Sequence, residues 1–267
     1  MLLRKATPGL SKMPHYSRGP MGPAGYGFFG EIVPPGIRML LIINGILFVV
    51  YFLVRALEIG PLLLLFHALS LIPDWVIRGA LWQPITYLFL HSPYGFFHIL
   101  FNMLALWMFG SDLERDWGTR RFLNYYFFCG VGAGLCDVTA RLLLGDGQIP
   151  TIGASGAIYG ILLAFGLLYP HRRIYLWFLL PIPARVFALI LGAIAFLSAI
   201  GGRGSNVAHI AHLGGMVFGY FYLRYKPDFL DIDWMASYRR WRLRRAQRKF
   251  EVYMRKRDRS GGGGWVN

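Results

Sequence analysis

Long, almost uncharged runs separated by short basic or Gly/Pro-rich stretches dominate the chain. Met39–Val54 is apolar except for Asn44 and is bracketed by Arg38 and Arg55. Phe96–Phe109 lies within a charge-free stretch from Gly79 to Ser111. Phe122–Leu135 starts a third run, which continues through Asp137 and Arg141 towards Leu144. Ala154–Tyr169 carries no charge and stops at Pro170; Ala184–Ile200 follows Pro181 and Pro183; Val207–Leu223 is the sixth. A helix needs roughly 20 residues to cross the hydrocarbon core of a bilayer, so flanking neutral residues must complete the shorter runs. Pro61–Ile72 is too short to cross and runs into Pro73, Asp74 and Trp75. It reads as a membrane-embedded piece of the loop between the first two spans. The pattern predicts an all-α membrane protein, a bundle of six transmembrane helices with a membrane-embedded first loop.

Composition narrows the alternatives. Hydrophobic residues make up 55% of the 267-residue chain, charged residues only 15%, and mean hydropathy is +0.45. A soluble domain carries about 25% charged residues, so this chain has too few to cover a water-facing surface. Two cysteines, Cys129 and Cys136, exclude a disulfide scaffold and read as buried free thiols.

The net charge of +15 is unevenly spread. With six crossings and an inner N-terminus, 24 basic residues fall on the inner side and only Arg55, Arg78, Arg141 and Arg203 on the outer. The positive-inside rule therefore places both termini in the cytoplasm. The expected location is a bacterial cytoplasmic (inner) membrane. Six prolines and seven glycines in residues 1–36 predict a flexible arm, residues 37–224 the six-helix domain, and residues 225–267 a basic tail. The tail interleaves Trp241, Phe250 and Tyr253 with eleven basic residues between Tyr238 and Arg259, a composition suited to anionic headgroups. No nucleic-acid partner is expected.

Three polar groupings interrupt the apolar runs. Ser155 lies between Gly153 and Gly156 where the fourth helix begins. Free N–H groups and the positive end of the helix dipole sit there, so a hydroxyl attacking a carbonyl would find donors for the oxyanion. A serine cap is the plainer reading, and Gly156, Gly160 and Ala164 form a small-residue row suited to close helix contact. His209 and His212 lie inside the sixth run, where an ionisable side chain is expensive unless it is paired or functional. Either could act as a base; His212 alone shares a face with Gly215 and Gly219. His98 and Asn102, four apart, share one face of the second helix. Asp137 and Arg141, four apart on the third, are expected to pair with each other.

Topology brings the groupings together. Spans two, four and six run from outside to inside, so His98, Ser155 and His212 all fall near the outer leaflet. A serine, a base and spare donors at one depth suit acyl transfer. No carboxylate shares that level, which favours a dyad over a triad.

These residues resemble those of the rhomboid intramembrane serine proteases, over roughly Leu81–Tyr222. The resemblance rests on His98-x-x-x-Asn102, on Gly153-x-Ser155-Gly156, and on Ala211-His212-x-x-Gly215-x-x-x-Gly219, in this order on spans two, four and six. It implies Ser155 as nucleophile, His212 as general base, and His98 and Asn102 as oxyanion donors beside the Ser155 N–H. It also implies that Tyr159 stacks on the catalytic histidine, and His91 matches a further histidine found before span two. The implied activity is cleavage of single-span transmembrane substrates near their outer ends, without a cofactor or metal. The alternatives are an inactive rhomboid-like protein that binds transmembrane helices, a metalloprotease and a transporter. The metalloprotease lacks His-Glu-x-x-His. The transporter lacks ionisable residues along several spans.

Overall fold

The computed structural model describes residues 33–176, 180–200 and 206–225, with Arg245. The expected arm and tail lie outside the described residues except at their inner ends. The helices are α1 (Pro35–Ala56), α2 (Gly60–Leu69), α3 (Pro73–Ile77), α4 (Gln83–Thr86), α5 (Phe96–Trp117), α6 (Thr119–Leu144), α7 (Ser155–Leu168), α8 (Ala184–Ile200) and α9 (Asn206–Tyr225). A 3-10 turn, Tyr87–Phe89, follows α4. The six apolar runs coincide with α1 and α5 to α9. Three of these, α1, α5 and α6, are long and apolar enough to cross a membrane unaided.

The chain is a helical membrane bundle turned apolar side out. Along α1, Ile42, Ile46, Val49, Phe52 and Leu53 are all exposed, and α8 likewise exposes Leu189, Ile194, Phe196 and Leu197. Contiguous apolar faces of this kind are rare on water-soluble monomers and match a lipid surround. The interior holds Phe122, Tyr125 and Tyr126 of α6 with Leu106, Leu113 and the small-residue face of α7. Helix α9 packs chiefly on α6 and α7.

Two departures from the sequence reading have physical causes. Helix α5 continues through Trp117, well beyond Phe109, and its acids have partners. Asp112 pairs with Arg115 at 3.3 Å and with Arg172 at 2.8 Å, and Tyr169 donates to Asp116. Counting uncharged residues ends a span too early where the acids have such partners. The second departure is a hairpin: β1 (Arg173–Leu176) pairs antiparallel with β2 (Leu180–Pro183), placing Tyr175 opposite Pro181. The sequence marked Pro181 and Pro183 only as residues preceding the fifth run; in a two-stranded hairpin each strand is an edge, where proline is tolerated.

Segment Pro61–Ile72 overlaps α2, whose ten residues reach only about 15 Å. Cys129 is buried, Cys136 is half-buried, and both thiols are free.

Glu114 anchors the start of the bundle. Helix α1 begins at Pro35, and its next two N–H groups donate to the Glu114 side chain: Gly36 to Oε1 at 2.7 Å and Ile37 to Oε2 at 2.8 Å. Thr119 donates its hydroxyl to Oε1 at 2.6 Å. An acidic group at a helix N-terminus satisfies donors that have no partner within the helix. Glu114→Ala orphans the two buried N–H groups and frees the half-buried Thr119 hydroxyl, and one unsatisfied buried group costs about 1–3 kcal/mol. The expected result is a loss of about 3 kcal/mol in unfolding free energy, measured by denaturant titration in detergent micelles. Unchanged stability would remove Glu114 from the anchors of the fold.

Candidate active site

The site is built at the start of α7, at Ser155. The 14 residues of α7 span about 21 Å, against about 30 Å for a hydrocarbon core. The helix by itself is therefore too short to cross the core. Its first intrahelical bond runs from the Ile158 N–H to the Ala154 carbonyl at 3.1 Å. The N–H groups of Ser155, Gly156 and Ala157 thus come before the ladder begins.

Gly153 shapes the approach to Ser155. Its φ of +129° lies where side-chain-bearing residues rarely go. A Cβ at this position would stand 3.1 Å from His98 Cε1, 3.5 Å from His98 Nε2 and 3.9 Å from Ser155 Oγ. The absent side chain leaves a hollow bordered by the imidazole and the hydroxyl together. One turn along α5 from His98, Asn102 is buried, and its Nδ2 has no protein partner. His91 is fully buried, with its ring 5.4 Å from that of His98.

His212 meets Ser155 directly. His212 Nε2 lies 2.8 Å from Ser155 Oγ. The Tyr159 ring lies flat against the His212 imidazole, with centroids 4.2 Å apart and planes 2° apart. Such stacking limits rotation of the imidazole. Helices α7 and α9 come this close because a Cβ on Gly215 would strike the Gly156 carbonyl, and one on Gly156 would meet Ala133 of α6. His212 Nδ1 has no protein hydrogen-bond partner. For the Ser155 hydroxyl to donate to Nε2, the neutral ring must carry its proton on Nδ1.

Of the two histidines in α9, His212, the one the resemblance implies as base, makes the hydrogen bond to the serine. His209 sits edge-on to it, with ring centroids 5.7 Å apart. The structure gathers Ser155, His212, Tyr159, His98, Gly153 and Gly156 around one helix start, with Asn102 one turn from His98. Among the described residues, no group of three or more His, Cys, Asp or Glu side chains could hold a metal ion.

Sequence reasoning gave Thr151 no role. Thr151 donates to Asp137 Oδ2 at 2.8 Å and accepts from Arg141 Nε at 3.1 Å. A lone threonine four residues before the serine, and an acid–base pair on the neighbouring helix, were the available signals. Nothing in their spacing says that they meet.

Comparison with known proteins points one way. The Rhomboid domain pattern matches residues 78–227, slightly more than half of the chain. Rhomboid protein 1, mitochondrial, of Saccharomyces cerevisiae is 35% identical over 132 residues, covering 48% of this chain and 37% of that protein. Rhomboid protease GluP of Bacillus subtilis is 33% identical over 146 residues, covering 55% of this chain and 26% of that protein. RHOMBOID-like protein 12, mitochondrial, of Arabidopsis thaliana is 32% identical over 150 residues, covering 51% of this chain and 44% of that protein. In each case the chain spans less than half of its relative's length.

Proposed function

The chain belongs to the rhomboid family, and we propose that it is an intramembrane serine endopeptidase working through a Ser155–His212 dyad. The observation that carries this reading is the 2.8 Å contact between His212 Nε2 and Ser155 Oγ in the first turn of α7. His212 takes the hydroxyl proton as Oγ attacks the scissile carbonyl carbon. The developing oxyanion is received by the Ser155 N–H, His98 and Asn102. His212 then gives its proton to the leaving amine, and an acyl group remains on Ser155. Water, activated by the same histidine, releases that group and restores the serine.

The proposed substrates are single-span transmembrane proteins, cut near their outer ends. Hydrolysis consumes water, and the start of α7 lies near the outer surface in the orientation favoured by the basic asymmetry. That asymmetry supports both termini on the cytoplasmic side. The compartment proposed is a bacterial cytoplasmic membrane, one relative being bacterial; a mitochondrial membrane, as in the names of two others, is the alternative. Fractionation of source cells decides between them. Residues 37–224 form the proposed protease domain. The arm at 1–36 and the tail at 225–267 are accessory, the tail binding anionic headgroups.

The test is cleavage of a labelled single-span substrate by purified protein in proteoliposomes, with the cut located by mass spectrometry. Cleavage near the outer end supports the reading. Tight binding of the substrate without cleavage would instead make the chain an inactive helix-binding relative. Asn102→Ala and His98→Ala each remove one oxyanion donor and leave the backbone N–H in place. Loss of one such donor costs about 10²–10³ in kcat, so both should retain measurable cleavage with KM little changed. Wild-type kcat in both variants would take the oxyanion role from these residues.

A further inference from the structure

A buried polar cluster between the outer half of α6 and the segment entering α7 is unused by the chemistry above. Asp137 is fully buried and Arg141, one turn along, is 8% exposed. Arg141 Nε donates to Asp137 Oδ1 at 3.3 Å and Oδ2 at 3.1 Å, and to Thr151 Oγ1 at 3.1 Å. Thr151 completes the ring through its 2.8 Å bond to Asp137 Oδ2. A buried ion pair is a weak source of stability, because desolvation offsets most of the attraction. Ionisable residues within membrane helices more often serve function.

What the cluster does geometrically is hold Thr151. The backbone of Thr151 is already held on its other side. It exchanges two hydrogen bonds with Leu71 of the first loop, each 2.9 Å, and two residues on, the Gly153 N–H donates to the Tyr87 carbonyl at 3.0 Å. Only Ile152, Gly153 and Ala154 then separate Thr151 from the first residue of α7. The first loop therefore fixes the backbone of this lead-in, while α6 fixes its side chain. Any rotation of the lead-in would turn the Ser155 N–H and Oγ with it.

We infer that Asp137 and Arg141 are positioning residues, acting through the Thr151 hydroxyl to set the direction in which the start of α7 presents Ser155 and its N–H to a substrate carbonyl. The inference rests on the serine endopeptidase reading. Thr151→Val keeps the shape of the side chain and removes the hydroxyl; Thr151→Ser keeps the hydroxyl. Small misplacements of reacting groups cost up to about 100-fold in rate. In proteoliposomes Thr151→Val should therefore lower kcat by about 10- to 100-fold with KM and melting temperature little changed. Its rate of labelling by a fluorophosphonate at Ser155 should fall in parallel, and Thr151→Ser should restore both. Adding Asp137→Asn to Thr151→Val should cost little further kcat, because the route runs through the missing hydroxyl. Wild-type kcat in Thr151→Val overturns the inference, as do fully additive losses in the double variant. A fall in kcat matched by a lower melting temperature and unrelieved by Thr151→Ser also overturns it, making the cluster a support of the fold. If the wild type neither cuts substrate nor reacts with the fluorophosphonate, the endopeptidase reading itself has failed.

Discussion

Ser155→Ala is expected to abolish cleavage of a transmembrane substrate while leaving the bundle intact. Ser155 is the hydroxyl held against His212, at 2.8 Å, and the substitution removes the atom that would form the acyl bond. Removing the nucleophile from a serine hydrolase costs about 10⁶-fold in kcat, below the detection limit of a gel-based assay. The structural cost should be small. Alanine is an excellent helix former, Ser155 occupies the first position of α7, and no helix-capping bond from its side chain is lost. Substrate binding should survive, so the variant should still co-purify with an uncut substrate. Loss of cleavage with unchanged melting temperature is the supporting outcome. Persistent cleavage by Ser155→Ala would end the serine-protease reading.

His212→Ala is expected to be almost as damaging, at about 10⁴–10⁶-fold in kcat. A serine hydroxyl is a poor nucleophile unless a base accepts its proton. The substitution also removes the partner of the Tyr159 ring, so a modest loss of stability, about 0.5–1.5 kcal/mol, should accompany it. His209→Ala is the control, because His209 touches the edge of the His212 ring, while the hydrogen bond to Ser155 belongs to His212. It should keep kcat within about tenfold of wild type, a change of roughly 1.4 kcal/mol or less. Parallel kinetics on the three proteins separate the roles. If His209→Ala were inactive and His212→Ala active, the base would be His209 and the geometry around Tyr159 would need another explanation.

The locations of the helices were legible because a bilayer imposes a one-dimensional rule. A segment surrounded by hydrocarbon must satisfy its backbone internally and present apolar side chains, which leaves long uncharged runs. The start of α8 at Ala184 was legible from Pro181 and Pro183 just before it. The same rule failed at α5, because the helix continues through Asp112, Glu114 and Asp116, which bond to residues on other segments. It also missed the β1–β2 hairpin, whose pairing is a contact between segments rather than a local pattern.

The components of the site followed from the sequence for a similar reason. A serine among glycines, histidines within an apolar run and a His/Asn pair one turn apart stand out because polar groups in membrane helices are costly. Charge asymmetry and span count led to the expectation that they share one end of spans two, four and six. Residue pattern alone left His209 and His212 both open and the family motif chose His212; the contact itself depends on which ring the close α7–α9 packing at Gly156 and Gly215 brings against Ser155. The hollow at Gly153 was not legible, since it follows from its positive φ and the rotamer of His98. The ring of Asp137, Arg141 and Thr151 lay furthest from view. Helical periodicity relates residues three or four apart, and so it pairs Asp137 with Arg141. It carries no information about Thr151, which reaches them only after the chain has turned between α6 and α7 and paired with Leu71.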